Sequence, residues 1–152
     1  MNEERHEILN KENDNGCIFK SEVQMIKVAI IERCMKRIND EYHQSPSNLE
    51  NYTKHDSIIL NLQRACEASI DLAMHIVADK RLGLPQNSRE AFSLLETENI
   101  ITASLSNRMK AMVGFRNIAV HDYQEINIVI LQKILDVRLV DFSEYTKAII
   151  HS

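Results

Sequence analysis

Apolar residues recur along this chain at spacings of three and four, the period of helices that bury one face. From about Phe19 to Tyr42, the set Phe19, Val23, Ile26, Ile30, Cys34 and Ile38 forms one such stripe. Val28, Ile31, Met35 and Tyr42 form a second on the same segment, which predicts contact with more than one neighbour. Ser45-Pro46-Ser47-Asn48 breaks the pattern. It resumes from about Asp56 to Lys80 with Ile59, Leu62, Cys66, Ile70, Ala73 and Val77, and the small Ala65, Ala68, Ser69 and Ala73 admit a neighbouring helix closely. Leu82-Gly83-Leu84-Pro85 ends that helix, with glycine after it and proline beyond. Ser88-Arg89-Glu90-Ala91 caps and starts a short helix carrying Phe92, Leu94 and Leu95. Another helix begins near Thr102, and a last one covers about Ile126 to Ile150, with Ile130, Ile134, Phe142, Tyr145 and Ile149 as core contacts. Four substantial helices and a short one predict an all-α, up-and-down bundle.

Composition agrees with that pattern. Only three glycines and two prolines occur in 152 residues, too few turn formers for a strand-rich fold. The length suits one domain with one core. Residues 1–18 stand apart as an extension, helical or unstructured, and residues 19–152 form the bundle domain. The formal charge of −4 does not advertise nucleic-acid binding, yet five carboxylates against Arg5 and Lys11 place −3 of it within residues 1–16. The remainder is nearly neutral and leaves room for local basic surface, with Lys20, Lys27, Arg33, Lys36 and Arg37 on one helix and Arg108, Lys110 and Arg116 on another. Such cations are ordinarily solvated helix faces.

Cys17, Cys34 and Cys66 form no C-x-x-C pair, and Cys34 and Cys66 fall within apolar stripes, as reduced core residues do. No leader or 18-residue apolar run is visible, which predicts a cytoplasmic protein away from the membrane. The histidines His6, His43, His55, His75, His121 and His151 are scattered without zinc spacing, and no glycine-rich phosphate loop occurs, so neither metal nor cofactor is expected. Asp71 and His75 are four apart, a surface pair rather than a metal site, and Arg64 either lines an RNA groove from the second helix or, more simply, pairs with Glu67.

The chemistry concentrates in Gly114-Phe115-Arg116-Asn117-Ile118-Ala119-Val120-His121-Asp122-Tyr123. On the fourth helix Leu105, Met109, Met112, Arg116, Val120 and Tyr123 follow spacings of four and three, so a guanidinium stands where the apolar stripe would continue. His121 lies five residues beyond Arg116, about 140° around a straight helix, so the two do not share a face. Asn117 and His121 do share one, and Tyr123 returns to the side of Arg116. Either the helix ends or bends near Ala119–Asp122, or two copies of the segment face each other across a twofold axis. Arginine and histidine suffice to cleave RNA without a metal. Histidine moves the proton of the attacking ribose 2′-hydroxyl, and arginine stabilises charge on the phosphate, leaving a cyclic phosphate and a 5′-hydroxyl. A purely structural alternative has His121 favouring the helix dipole, Arg116 paired with Asp122 or Glu125, and Tyr123 in the core.

These residues resemble the R-x4-H-x-Y motif of HEPN domains, and specifically of the HepT-like ribonuclease toxins. Arg116, His121 and Tyr123 match it without a gap, and Asn117 is similar to the polar residue that often follows the arginine. Asn61-Leu62-Gln63-Arg64-Ala65-Cys66-Glu67-Ala68 with Asp71-Leu72-Ala73 resembles the family's second helix, and Gly83-Leu84-Pro85 followed by Glu90-Ala91-Phe92-Ser93-Leu94-Leu95 its connecting segment. The resemblance implies a dimerising helical bundle with a composite ribonuclease site at the dimer cleft, built from Arg116 and His121 with Asn117 assisting. It further implies tRNA or mRNA as substrate, and a minimal nucleotidyltransferase antitoxin that silences the site by AMPylating Tyr123. A non-catalytic HEPN scaffold that binds a nucleotide or holds a nucleotidyltransferase is the alternative. A plain helical dimerisation module leaves Arg116 unexplained.

Overall fold

The computed structural model describes residues 21–121 and 126–152. The proposed extension (1–18), Phe19 and Cys17, and the motif residues Asp122 and Tyr123 lie outside the described residues. Six α-helices are described: α1 (Glu22–Tyr42), α2 (Tyr52–Asp79), α3 (Ser88–Thr97), α4 (Ala103–His121), α5 (Ile128–Lys133) and α6 (Val140–Ile150). A 3-10 turn (Pro46–Glu50) links α1 to α2, and a π turn (Ile134–Arg138) links α5 to α6. The described residues contain no strand, and none of their helices is long and apolar enough to cross a membrane. The bundle is all-α.

Polar side chains start most of these helices by accepting first-turn N–H groups that have no helical partner. Ser21 accepts from Gln24, Asn51 from Lys54, Asn87 from Glu90, Thr102 from Leu105 and Asn127 from Val129. Two boundaries therefore differ from those the apolar spacing predicts. Asn51 sets the start of α2 at Tyr52 rather than near Asp56, and Asn87 rather than Ser88 caps α3. The end of α2 is also made differently. Arg81 takes the left-handed conformation (φ 55°) and the Leu82 N–H reaches the Val77 carbonyl at 2.9 Å, so the chain turns before Gly83.

Helix α2 is the hub. It pairs most extensively with α1 and also packs on α3 and α4, while α6 closes the bundle against α1 and α4. Its predicted stripe is buried throughout, as are Ala65, Ala68 and Ser69. Tyr145 of α6 reaches the small residues of α2 with its side chain. It is fully buried, donates to the Ser69 carbonyl at 2.9 Å and meets Phe92 edge-on, with ring centroids 5.7 Å apart. On α1 the buried side carries Val28, Ile31, Cys34 and Ile38, whereas Val23 and Ile26 are exposed (43% and 56%). Two apolar stripes ran along this segment, and periodicity cannot choose between them.

The last helix departs most from expectation. Ile130 is 57% exposed, and Leu131 and Leu135 fill the core in its place, followed by Leu139, Phe142, Tyr145 and Ile149. Two successive spacings of four run ahead of the α-helical period, and the wider π turn brings Leu131, Leu135 and Leu139 onto one face. Tyr42 anchors that turn by donating to Asp136 at 2.8 Å. Burial, followed by this carboxylate, pushes the Tyr42 phenol up to about 12.

Arg108 is no solvated cation. It joins α4 to α6, donating to Asp141 at 2.6 Å and to Glu144 at 2.9 Å and 3.2 Å. These bonds, Glu144 first, raise its pKa and lower that of Glu144. Asp141 is only 1% exposed and its Oδ2 has no hydrogen-bond partner, so Arg108 is what compensates that buried charge. Glu144 is 45% exposed. In urea unfolding Arg108→Ala should therefore cost about 3 kcal/mol, because it strands a buried carboxylate. Glu144→Ala should cost under about 1 kcal/mol, as exposed pairs do. Equal losses would contradict this division.

Candidate active site

Helix α4 has no single apolar face. Leu105, Met109, Met112, Val113, Phe115 and Ala119 are buried, while Ile118 and Val120 are exposed. The predicted stripe thus holds through Met112 and then leaves the core, because Val120 stands 45% exposed. Arg116 sits at the change-over, partly buried, with its Nε enclosed and without a hydrogen-bond partner. Such an enclosed donor costs free energy until something accepts from it.

Arg116 and Asn117 line one cleft of about 180 Å³ with Val113 of the same helix and with Asn87, Ser88 and Arg89 at the start of α3. Both helices rest on α2, which fixes their spacing. The Cys66 thiol of α2 is near enough to feel Arg116. Burial pushes that thiol up to about 12 and the Arg116 charge pulls against it, so Cys66 stays protonated and offers no counter-charge. Among the described residues neither Arg116 nor Arg89 has a carboxylate partner.

His121 is exposed at the last residue of α4, where a cationic imidazole would suit the helix dipole. The segment is α-helical through His121, so no bend brings it round to Arg116. One copy of the chain unites Arg116 with Asn117 and leaves His121 about 140° away. Tyr123, together with Asp122 and Glu125 as partners for Arg116, falls outside the described residues. Other expected pairings are replaced. His75 meets the Ser21 hydroxyl at 3.2 Å and Asp71 takes Lys27 at 3.4 Å, while no ion pair joins Arg64 to Glu67. No group of three or more His, Cys, Asp or Glu among the described residues could hold a metal ion. Arg89 is the cleft residue that sequence reasoning missed, since no spacing relates α3 to the motif.

The α-helical bundle thus holds an arginine with an unpartnered Nε in a cleft, an asparagine beside it and a histidine at the helix end. The ribonuclease HepT-like family model matches residues 30–149. The mRNA nuclease HepT of Shewanella oneidensis is 49% identical over 123 residues, 81% of this chain and 92% of its own. A solved tri-AMPylated Shewanella oneidensis HEPN toxin, in complex with MNT antitoxin, is 46% identical with a TM-score of 0.82, spanning 88% of this chain and 100% of its own. A toxin–antitoxin crystal structure with AMP-PNP is 45% identical with the same TM-score, spanning 87% and 100%. This chain belongs to the HepT-like ribonuclease family.

The unpartnered Nε makes Arg116 an expected cost to folding rather than a support for it. Arg116→Met keeps the apolar stem and removes the unpartnered Nε–H. Its thermal midpoint should equal or exceed that of the parent. A drop of several degrees in scanning calorimetry would make the guanidinium a structural member.

Proposed function

We propose that this chain is an RNA-cleaving toxin that works as a dimer in the cytoplasm, with Arg116 and His121 completing one site from two copies. The enclosed, unpartnered Arg116 Nε carries this reading, because it asks for an anion where the family implies a phosphate. His121 takes the proton from the ribose 2′-hydroxyl as its oxygen attacks phosphorus. The bond to the 5′-oxygen breaks, and that oxygen leaves with a proton returned by the imidazolium directly or through water. Arg116 holds the equatorial oxygens as charge builds, and Asn117, four residues before His121, helps to orient the phosphate or the imidazole. The products are a cyclic phosphate and a 5′-hydroxyl, and no metal takes part. The name of the Shewanella oneidensis relative favours mRNA over tRNA. The continuous helix supports the two-copy arrangement, since a single chain sends Arg116 and His121 in different directions. Residues 19–152 form the catalytic bundle and 1–18 an extension. The solved relatives are spanned completely by less than nine-tenths of this chain, which supports that division.

The AMPylated state of a 46% identical toxin supports the matching means of control here. A minimal nucleotidyltransferase antitoxin transfers AMP from ATP to Tyr123. The phenol oxygen bonds to the α-phosphorus and pyrophosphate leaves. The added nucleotide is bulky and anionic, so it fills the RNA groove and occupies the arginine.

Unmodified protein should cleave single-stranded mRNA in the presence of chelator, and Arg116→Ala or His121→Ala should each slow this by at least about 100-fold. Mixing the two variants should restore part of the rate, because a hybrid dimer contains one intact cross-subunit pair. Full cleavage by both variants would sink the reading, and absence of complementation would sink the shared site. With the antitoxin and ATP, intact mass should show AMP added to the parent and none to Tyr123→Phe.

A further inference from the structure

The Arg116 cleft has a second cation. We infer that Arg89, reaching the cleft from α3, is a further phosphate-holding residue that grips the RNA backbone beside the bond that is cut. This rests on the reading of Arg116 as a phosphate-facing residue. Arg89 and Arg116 line the same 180 Å³ cleft, and among the described residues neither is neutralised by a carboxylate. Like charges on one small cleft repel unless an anion joins them. The nearest acid in sequence, Glu90, is turned elsewhere. Its carboxylate accepts the Gln86 N–H at 2.8 Å and does not line the cleft. Ser88 and Asn117 add neutral polar groups to the walls, and the opening turn of α3 contributes the positive end of its dipole. Arg89 itself remains exposed, so a long polyanion can reach it.

Gly114 leaves room for this guanidinium. A glycine inside a helix costs about 1 kcal/mol relative to alanine. A Cβ at Gly114 would stand 3.2 Å from Nη2 of Arg89, and no other neighbour lies within reach. The bare position lets the guanidinium lie against α4, about one turn before Asn117 and two residues before Arg116. Replacing Gly114 by alanine would push Arg89 aside by a few tenths of an ångström and leave every charge in place.

Binding of a labelled single-stranded RNA to the full-length His121→Ala protein, titrated across salt concentrations, tests the inference apart from cleavage. Arg89→Ala in that background should weaken binding about fivefold to tenfold, and the slope of log K against log salt should become shallower by about 0.7. Arg89→Lys should retain the slope and lose part of the affinity, since it keeps the charge without the fork of donors. Gly114→Ala should bind about twofold to threefold more weakly, with an equal or higher thermal midpoint. In otherwise active protein, Arg89→Ala should raise KM and leave kcat nearly unchanged. Parental affinity and salt slope in Arg89→Ala would overturn the inference, as would failure of the His121→Ala protein to bind RNA. If cleavage survives Arg116→Ala and His121→Ala while binding still depends on Arg89, the catalytic reading fails and the phosphate grip stands.

Discussion

The close approach of neighbouring helices to α2 is the constraint from which the other distances follow. Ala65, Ala68, Ser69 and Ala73 remove side-chain bulk along one seam, and all four are buried. A larger residue there would force its neighbours outward, because a packed interior has no slack to absorb added atoms. The Tyr145 hydroxyl of α6 reaches the Ser69 carbonyl of this seam, and the Phe92 ring meets Tyr145 edge-on. Since α3 and α4 are both seated on α2, the same seam sets the width of the cleft between them. The geometry of the cleft follows from backbone proximity at the hub.

That cleft gathers positive charge in a chain whose formal charge is −4. The imbalance is local and arises because the thiol below the arginine is held neutral by burial, while the acid at the start of α3 is engaged by backbone. An electropositive niche on an acidic protein attracts phosphates at short range without drawing polyanions to its whole surface. The HepT-like family membership and the physical argument therefore meet at the same side chain.

The seam of α2 was legible in the sequence because its apolar and small residues lie on one side only. Arg116 was legible for the opposite reason, since a guanidinium in register with leucine and methionine is costly wherever it appears. The buried side of α1 was not, as two apolar stripes of similar strength share that helix and only the position of α2 decides between them. Val120 and Ile130 were placed in the core by the helical period, but the regular α4 has left the core by Val120, and Leu131 rather than Ile130 faces inward. Arg89 was invisible because nothing in its own helix marks it. Its meaning comes from tertiary proximity to Gly114 and Arg116, a relation that spacing along one helix does not encode.

The π turn at Ile134–Arg138 has a consequence for how this chain tolerates change in length. It holds one residue more per turn than the helices on either side, and every later residue is phased by it. Deleting a single residue there would rotate α6 by about 100° relative to α5. Asp141, Phe142 and Tyr145 would swing away from Arg108 and the hub together. Insertions and deletions are usually absorbed by connections, yet this short junction is among the places where the length of the chain is least negotiable.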